Sequence, residues 1–396
     1  MAAMSASGGG TEFNFGSGMP DPQTFPAEAL AAAAQRVILR EGCTLVRYPD
    51  QRGYPPLREI AARRFERNHR LRVPLGDVVL TTGSMQAIIL ATQALARPGD
   101  TVLTEEFCYS GTLGVLRQYG TRVEGVPLDA QGMRLDALEA ALDRAAREGR
   151  KVAFVYTIAT HQNPSGTILP VERRRELLAI CTRRNVPIVE DDCYADVVFE
   201  GQMPPAIYTF ADPGEVMYIG SFSKILGPGV RLGYFIAPEL LGARLLAYKR
   251  DGGTNALASM IVAEYLKENL WPHVAEVCAA VKAKRDALFA ALERELGGLV
   301  EWTRPQGGLF SWVKLPDGID TKALARLADE RQLRYGSGRS FDAADRDVSY
   351  LRLAFGFIDA ALIDAAVARL GECIEGAAPG ARTSGRSSRP AAAVTA

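Results

Sequence analysis

The chain has 396 residues, of which 47% are hydrophobic and 23% are charged, so it is long enough to bury a large core. Its 46 basic and 46 acidic side chains balance, which argues against a nucleic-acid-binding face, because neutralising phosphates requires a concentrated basic patch. The six cysteines form no CxxC pair and only three histidines are present, which indicates neither a disulfide framework nor a metal site.

The N-terminal stretch, MAAMSASGGGTEFNFGSGMP, has neither the basic region nor the apolar region of a signal peptide. No apolar run in the chain approaches the roughly 18 residues that a membrane span needs. We therefore expect a cytoplasmic protein that has no membrane partner and acts on a small polar substrate.

Seven short, β-rich apolar runs alternate with amphipathic helical segments in the first two thirds of the chain. The runs are VVLTT (78–82), DTVLTE (100–105), TRVEGVP (121–127), KVAFVYT (151–157), VPIVED (186–191), VMYIGS (216–221) and LGYFIA (232–237). Segments such as MQAIILATQALA and PVERRRELLAICTRRN lie between most of them. This alternation predicts an α/β fold in which helices cover both faces of a mostly parallel, seven-stranded sheet.

The pattern changes near residue 271, where a long helical segment precedes LFSWVKLP, TKALARLADERQ, SYLRLAFG and DAALIDAAVARLGECI. These segments predict a second, smaller α+β domain. We expect an N-terminal segment (1–42) that joins the small domain, a large domain (43–270), the small domain (271–375) and a tail (376–396). The tail is rich in Ala, Gly, Ser, Arg and Pro without an apolar period, which predicts disorder.

Polar groups stand just after several predicted strands, at the edge where ligands gather in parallel α/β sheets. Taken one at a time, each has an ordinary explanation, such as a helix cap or a turn. Taken together, they suit one ligand that carries a phosphate, an aldehyde, a phenolate oxygen and a basic ring nitrogen. Pyridoxal phosphate has all four groups. The matches are Ser84, Ser221 and Arg231 for the phosphate, Lys224 for the aldehyde, Asn163 and Tyr194 for the phenolate oxygen, and Asp191 for the ring nitrogen.

Eight motifs also give the chain a family resemblance: FGSGMPDPQTFP, YPDQRGYPPLRE, TTGSMQA, EEFCYSGTL, QNPSG, EDDCYADV, SFSKILGPGVRLGY and LRLAFG. The chain resembles the fold-type I pyridoxal-phosphate-dependent aminotransferases of class I/II, from about Phe13 to Ile374. It is most similar to the subgroup with the 2-aminoadipate and kynurenine aminotransferases and the aminotransferase-like domain of the MocR regulators. The resemblance implies the PLP-dependent transferase fold type I, with the cofactor in the large domain.

The resemblance also implies roles for single residues. Lys224 would be the Schiff-base lysine and proton shuttle, Asp191 would pair with the pyridine nitrogen, and Tyr194 would complete the catalytic set. The remaining implied contacts are Asn163 and Tyr194 at the phenolate oxygen; Ser84, the Met85 amide, Ser221, Ser223 and Arg231 at the phosphate; and Tyr109 stacked on the ring.

Two further implications concern the substrate and a second subunit. Arg352 would clamp the substrate α-carboxylate as a planar bidentate fork, with Asn163 beside it and Gly18 closing over it. Tyr48 would reach the phosphate of a neighbouring subunit, which implies a homodimer with shared active sites.

The expected reaction moves an amino group between an L-amino acid and a 2-oxo acid through a Lys224 Schiff base. An alternative is another reaction of the same cofactor: decarboxylation, oxidation, elimination or carbon–carbon bond formation in a specialised biosynthetic pathway. A third reading is the ligand-sensing domain of a MocR-type regulator, although no helix-turn-helix segment precedes Phe13 in this sequence. His161 is either a substrate-facing acid/base group or a structural histidine, and the sequence does not identify the substrate amino acid.

Overall fold

The structure, a computed structural model, describes residues 12–378. Its strands are β1 (Phe13–Asn14), β2 (Val78–Thr81), β3 (Thr101–Glu105), β4 (Arg122–Val126), β5 (Leu128–Asp129), β6 (Gly132–Met133), β7 (Val152–Thr157), β8 (Ile188–Asp191), β9 (Val216–Ser221), β10 (Gly233–Ile236), β11 (Glu301–Trp302), β12 (Phe310–Lys314), β13 (Leu333–Arg334), β14 (Gly336–Ser337) and β15 (Tyr350–Ala354). Its helices are α1 (Ala27–Glu41), α2 (Pro55–His69), α3 (Ser84–Leu95), α4 (Ser110–Gln118), α5 (Leu135–Arg147), α6 (Val171–Arg183), α7 (Glu239–Leu246), α8 (Ala256–Leu296), α9 (Thr321–Glu330), α10 (Gly338–Phe341) and α11 (Ile363–Ala377).

All seven predicted strands pair in one sheet, in the order β2-β10-β9-β8-β7-β3-β4. Strands β9, β8, β7, β3 and β4 run parallel to one another, whereas β10 is antiparallel to both β9 and β2. The reversal follows from the connection, because β9 and β10 are joined by a short segment without a crossover helix. The predicted α/β fold with a mostly parallel, seven-stranded sheet is confirmed.

The sheet is buried on both faces, as a parallel sheet covered by helices requires. Every residue of β9 is buried, and its side chains alternate between two hydrophobic clusters. Met217 and Ile219 belong to one cluster, whereas Tyr218 belongs to the other. This alternation matters for the site, because neighbouring residues at a strand end face opposite sides of the sheet.

The C-terminal part contains a four-stranded antiparallel sheet in the order β11-β12-β15-β14, with α9 and α11 following its strands in the chain. Strand β1 pairs in parallel with β13, so the N-terminal segment is tied to this part of the chain. Helix α8 runs through the domain boundary expected at 270/271, with Pro272 inside it. The division into domains therefore stays a prediction.

Two further sequence expectations concern the C-terminal tail and membrane spans. The tail expected at 376–396 lies outside the described residues from 379 onward, and residues 376 and 377 still belong to α11. Between residues 12 and 378, the helices include none whose length and apolar character would allow it to cross a membrane.

Candidate active site

The predicted site residues gather at one edge of the main sheet. Asp191 is the last residue of β8, Ser221 is the last residue of β9, and Lys224 follows in the next turn. Asn163 lies in the loop after β7, and Tyr109 precedes α4 in the segment after β3. Because these strands are parallel, their carboxyl ends bring residues that are distant in the chain to one cleft.

The Lys224 amine contacts the N-terminal segment and lies near the aromatic ring of Tyr194. Its Nζ donates a hydrogen bond to the Gly18 carbonyl oxygen at 2.8 Å and lies 5.4 Å from the centre of the Tyr194 ring. Burial lowers the pKa of Lys224 and the charge of Arg352 adds to this, while Cys193 and Asp191 oppose it. The lowered pKa increases the fraction of neutral amine at neutral pH, which is the form that can accept a proton.

A chain of contacts leads from Tyr194 to Arg352. The Asn163 side-chain nitrogen lies 3.4 Å from the Tyr194 hydroxyl, and the Asn163 oxygen accepts a hydrogen bond from Arg352 Nη1 at 2.9 Å. All three side chains are buried. The structure therefore brings together the residues expected at the phenolate oxygen and the one expected at the substrate carboxylate.

Arg352 is held as a buried cation. Its Nη2 donates to the Gly16 carbonyl oxygen at 2.8 Å, and its guanidinium carbon lies 4.3 Å and 4.7 Å from the ring centres of Phe310 and Phe341. Burial lowers its pKa to about 10, so it remains charged at neutral pH. A side chain on Gly18 would come within 2.9 Å of the Phe310 ring, so glycine allows the N-terminal segment to pass close to Arg352.

The adjacent acids Asp191 and Asp192 face opposite sides of the sheet. Asp191 Oδ2 accepts a hydrogen bond from the Tyr156 hydroxyl at 2.6 Å, and its Oδ1 is buried without a hydrogen-bond partner among residues 12–378. Asp192 Oδ2 instead lies 3.2 Å from His69 Nε2 and 3.2 Å from the Tyr218 hydroxyl. Asp191 thus offers an unused acceptor on the side of the cleft, while Asp192 serves a separate buried network.

The N-terminus of α3 and the segment before β10 form a cradle that suits an anion. Gly83, at φ 73°, precedes the helix, and a side chain on it would meet the Arg231 guanidinium at 3.2 Å. A side chain on Gly233 would collide with the Ser84 amide nitrogen at 2.6 Å, so the two backbones pack closely. Free amides at a helix N-terminus beside an arginine are a typical phosphate site. Ser221 Oγ, which accepts from the Ser223 amide at 3.1 Å, belongs to the adjoining strand end.

The side chains of Tyr109 and Met85 both pack against Gly111. A side chain on Gly111 would lie 2.7 Å from both the Met85 methyl carbon and the Tyr109 ring. The Met85 side chain is therefore engaged in packing, which leaves its backbone amide as the group available to a phosphate.

Two residues singled out in the sequence make none of the contacts described above in the single chain. Tyr48 is 91% exposed and forms no part of its own chain's core. His161 is buried, its two ring nitrogens have no hydrogen-bond partner between residues 12 and 378, and burial lowers its pKa to about 4. Its ring fills the space left by Gly307, where a side chain would come within 2.3 Å of Nε2. With this pKa, His161 is neutral at pH 7.

These features fit pyridoxal phosphate. The unpartnered Asp191 Oδ1 can accept a hydrogen bond from a protonated ring nitrogen, the α3 cradle can hold a phosphate, and Lys224 provides a primary amine. Within residues 12–378, no group of three or more His, Cys, Asp or Glu side chains is arranged to hold a metal ion.

Comparison with known proteins gives the family. Residues 11–370 match the family model described as aminotransferase class I and II. The chain belongs to this family. Its fold is therefore the PLP-dependent transferase fold type I, its cofactor is pyridoxal phosphate, and it is an amino-group-transferring enzyme.

Individual relatives cover most of this aminotransferase. A 2-aminoadipate transaminase of Thermus thermophilus is 35% identical over 370 residues, which span 92% of this chain and 90% of the relative. An aromatic-amino-acid aminotransferase of Thermococcus litoralis is 34% identical over 362 residues, or 90% and 87% of the two chains. A solved α-aminoadipate aminotransferase of Thermus thermophilus, complexed with N-(5'-phosphopyridoxyl)-L-leucine, has a TM-score of 0.86 at 34% identity and covers 92% of each chain. These names support amino-group transfer rather than the other reactions of the cofactor.

Sequence reasoning missed two side chains that contact the site of this aminotransferase. Tyr156 lies inside the predicted strand KVAFVYT and bonds to Asp191, while Cys193 lies between Asp191 and Tyr194. Strand register could have identified Tyr156, because it pairs with Val189 and so faces the same side as Asp191 two residues later.

Proposed function

We propose that this aminotransferase moves an amino group from an L-amino acid to a 2-oxo acid, with Lys224 as the proton-carrying base and Arg352 as the carboxylate clamp. The observation that carries the proposal is the placement of the Lys224 amine, whose pKa is lowered by burial, in one cleft with the unpartnered Asp191 oxygen. When bound, pyridoxal phosphate supplies an electron-accepting ring that makes the α-proton of an amino acid acidic.

The described residues divide the remaining work. Arg352 keeps its charge at neutral pH and offers a planar fork, which orients an α-carboxylate so that the α-carbon faces Lys224. Lys224 Nζ can then take the α-proton as a neutral amine. Phe310 and Phe341 keep water from the faces of the Arg352 guanidinium, which strengthens its attraction for an anion.

Mixing the purified holoenzyme with single amino acids tests the reaction. For a substrate we expect one 2-oxo acid per active site without a co-substrate, and continued turnover once a second 2-oxo acid is added. The measurement is product analysis together with the absorbance of the cofactor. Release of carbon dioxide, ammonia or peroxide as the main product would contradict transamination.

We also propose that two chains form a homodimer with shared active sites. The segment from α1 to Tyr48 exposes several apolar side chains in a single chain, an arrangement typical of a protein interface. The most exposed are Leu39 at 81%, Val46 at 85% and Tyr48 at 91%. A second copy of this chain would cover this surface, and Tyr48 would then be available to the phosphate of the neighbouring site.

Tyr48→Phe should weaken cofactor retention about ten- to a hundredfold, because it removes a hydroxyl that hydrogen-bonds to a charged phosphate. The melting temperature of the cofactor-free protein should change little, since Tyr48 is exposed in the single chain. Tyr248→Phe is the control, because Tyr248 is a second exposed tyrosine, at 49%, to which no cofactor contact is assigned.

Mixed dimers provide the decisive comparison. A Tyr48→Phe subunit paired with a Lys224→Ala subunit keeps one site with both native residues if sites are shared. At a cofactor concentration that leaves the Tyr48→Phe parent mostly without cofactor, about half of the wild-type activity should therefore return per such dimer. A fully active monomer in sedimentation, or mixed dimers no more active than either parent, would overturn the shared site.

A further inference from the structure

Tyr156 is a buried tyrosine whose hydroxyl lies between two side chains of the site region. It is 0% exposed on β7, and its hydroxyl donates to Asp191 Oδ2 at 2.6 Å. Thr112 Oγ1, on α4, donates to the same tyrosine oxygen at 3.1 Å. Three elements that are distant in sequence thus meet in one hydrogen-bonded relay that ends at Asp191.

The relay has a fixed direction. A tyrosine hydroxyl has one proton, and because Thr112 donates to its oxygen, that proton is directed to Asp191. A donor at Oδ2 favours the carboxylate form of Asp191, since a carboxylate can only accept hydrogen bonds. Burial raises the pKa of Tyr156 well above its ordinary value, so Tyr156 remains a donor at neutral pH.

The relay also fixes which oxygen is left over. With Oδ2 engaged, Asp191 Oδ1 remains buried and has no hydrogen-bond partner in the described part of the chain. Burial raises the pKa of Asp191, whereas the neighbouring Cys193 and the Tyr156 hydroxyl oppose that rise. Without Tyr156, the carboxyl would lose its donor at Oδ2 and would take up a proton more readily.

We propose that Tyr156, itself oriented by Thr112, is a positioning residue that holds Asp191 Oδ2 and so presents Oδ1 to the ring nitrogen of pyridoxal phosphate. The inference rests on the proposed role of Asp191 and goes beyond it, because it assigns the control of that carboxylate to two residues outside the expected cofactor contacts. The test below leaves the other titratable groups close to Asp191 unchanged; they are Glu105, Cys108, Tyr109, Asp192, Cys193, Tyr194 and Lys224.

The chain offers a matched control on the opposite face of the sheet. Tyr218 is also buried, at 1% exposure, and its hydroxyl donates to Asp192 Oδ2 at 3.2 Å. Tyr156→Phe and Tyr218→Phe therefore remove the same group from the same type of environment, each beside one acid of the adjacent pair. A purely structural effect should appear in both variants, whereas an effect through Asp191 should appear only in Tyr156→Phe.

The test measures cofactor affinity by reconstituting cofactor-free protein with pyridoxal phosphate, and follows the absorbance of the bound cofactor against pH. We expect Tyr156→Phe to weaken cofactor affinity about tenfold, because it removes a hydrogen bond to a charged carboxylate. Thr112→Val should weaken it severalfold, because it removes a hydrogen bond between two neutral groups. The midpoint of the absorbance titration should rise in Tyr156→Phe, because a ring nitrogen that is less firmly protonated withdraws less charge from the group on Lys224. Tyr218→Phe should change the cofactor affinity by less than twofold. It should change the titration midpoint by less than 0.2 pH units, which corresponds to about 0.3 kcal/mol.

A double variant separates this inference from the function on which it rests. If Tyr156 acts through Asp191, Tyr156→Phe should add nothing to Asp191→Asn in affinity or in titration midpoint. If Asp191→Asn itself changes neither quantity, the proposed role of Asp191 is wrong. If Asp191→Asn changes them but Tyr156→Phe and Thr112→Val do not, or if Tyr218→Phe changes them equally, the positioning role alone is overturned. Thermal unfolding of the cofactor-free variants checks that each is folded, and Thr112→Val serves as the test if Tyr156→Phe is not.

Discussion

Lys224→Ala should reduce transamination by about 10⁴-fold or more, the largest effect that we expect from any single change in this enzyme. The variant loses the only amine that the structure places beside Tyr194 and Gly18 at the strand ends, among the described residues. Arg352 and the α3 cradle remain, so substrate and cofactor should still bind. The measurement is single-turnover formation of the 2-oxo acid, with added alkylamine as a test of partial rescue.

Chemical labelling gives an independent check. Borohydride reduction of the holoenzyme should fix a pyridoxyl group on Lys224, identified by mass spectrometry of the peptide. Lys249 provides a control, because it is a buried lysine that is paired with Asp251 at 2.9 Å. A label on Lys249 or on the exposed-face Lys282, which pairs with Asp286, would contradict the assignment of Lys224.

The sheet could be predicted from the sequence because its strands are short, apolar and separated by helical periodicity. Each of the seven runs became a strand of one sheet, and the polar residues at their ends met in one cleft. Lys224 stood out because an amine between Phe222 and Ile225 is unusual in an exposed turn. Features of this kind can be predicted from the sequence because they depend on residues that are adjacent in the chain.

Other features depend on contacts between distant segments and gave no local signal. The hydrogen bond from Tyr156 to Asp191 needs the register of β7 against β8, which strand prediction alone does not supply. The pairing of β1 with β13 joins residues more than 300 positions apart. The long helix α8 begins at Ala256 and continues through Pro272, whereas the sequence pattern placed a change near residue 271.

Asp191→Asn should lower turnover by about 10²- to 10³-fold, as expected when a charge that stabilises the reacting state is removed. The substitution keeps the size of the side chain and a hydrogen-bonding oxygen for Tyr156, so the fold should persist. It removes the negative charge that would hold a proton on the ring nitrogen. Cofactor binding should weaken, but the phosphate cradle at α3 should retain it at high cofactor concentration. The measurement is kcat at saturating cofactor, with the cofactor content determined separately.

Asp192→Asn is the matched comparison, because it makes the same change one residue away on the opposite face of the sheet. Burial alone would raise the pKa of Asp192, but the hydrogen bond and charge of His69, with Arg174, lower it below its ordinary value. The effect of this variant should therefore fall on stability, at about 1–3 kcal/mol in urea unfolding, with turnover of the folded enzyme changed less than tenfold. The contrast depends on alternation at the end of β8, which places Asp191 with Tyr156 and Asp192 with Tyr218. If Asp192→Asn proved the more damaging to turnover, the face of the sheet that bears the cofactor would have to be reassigned.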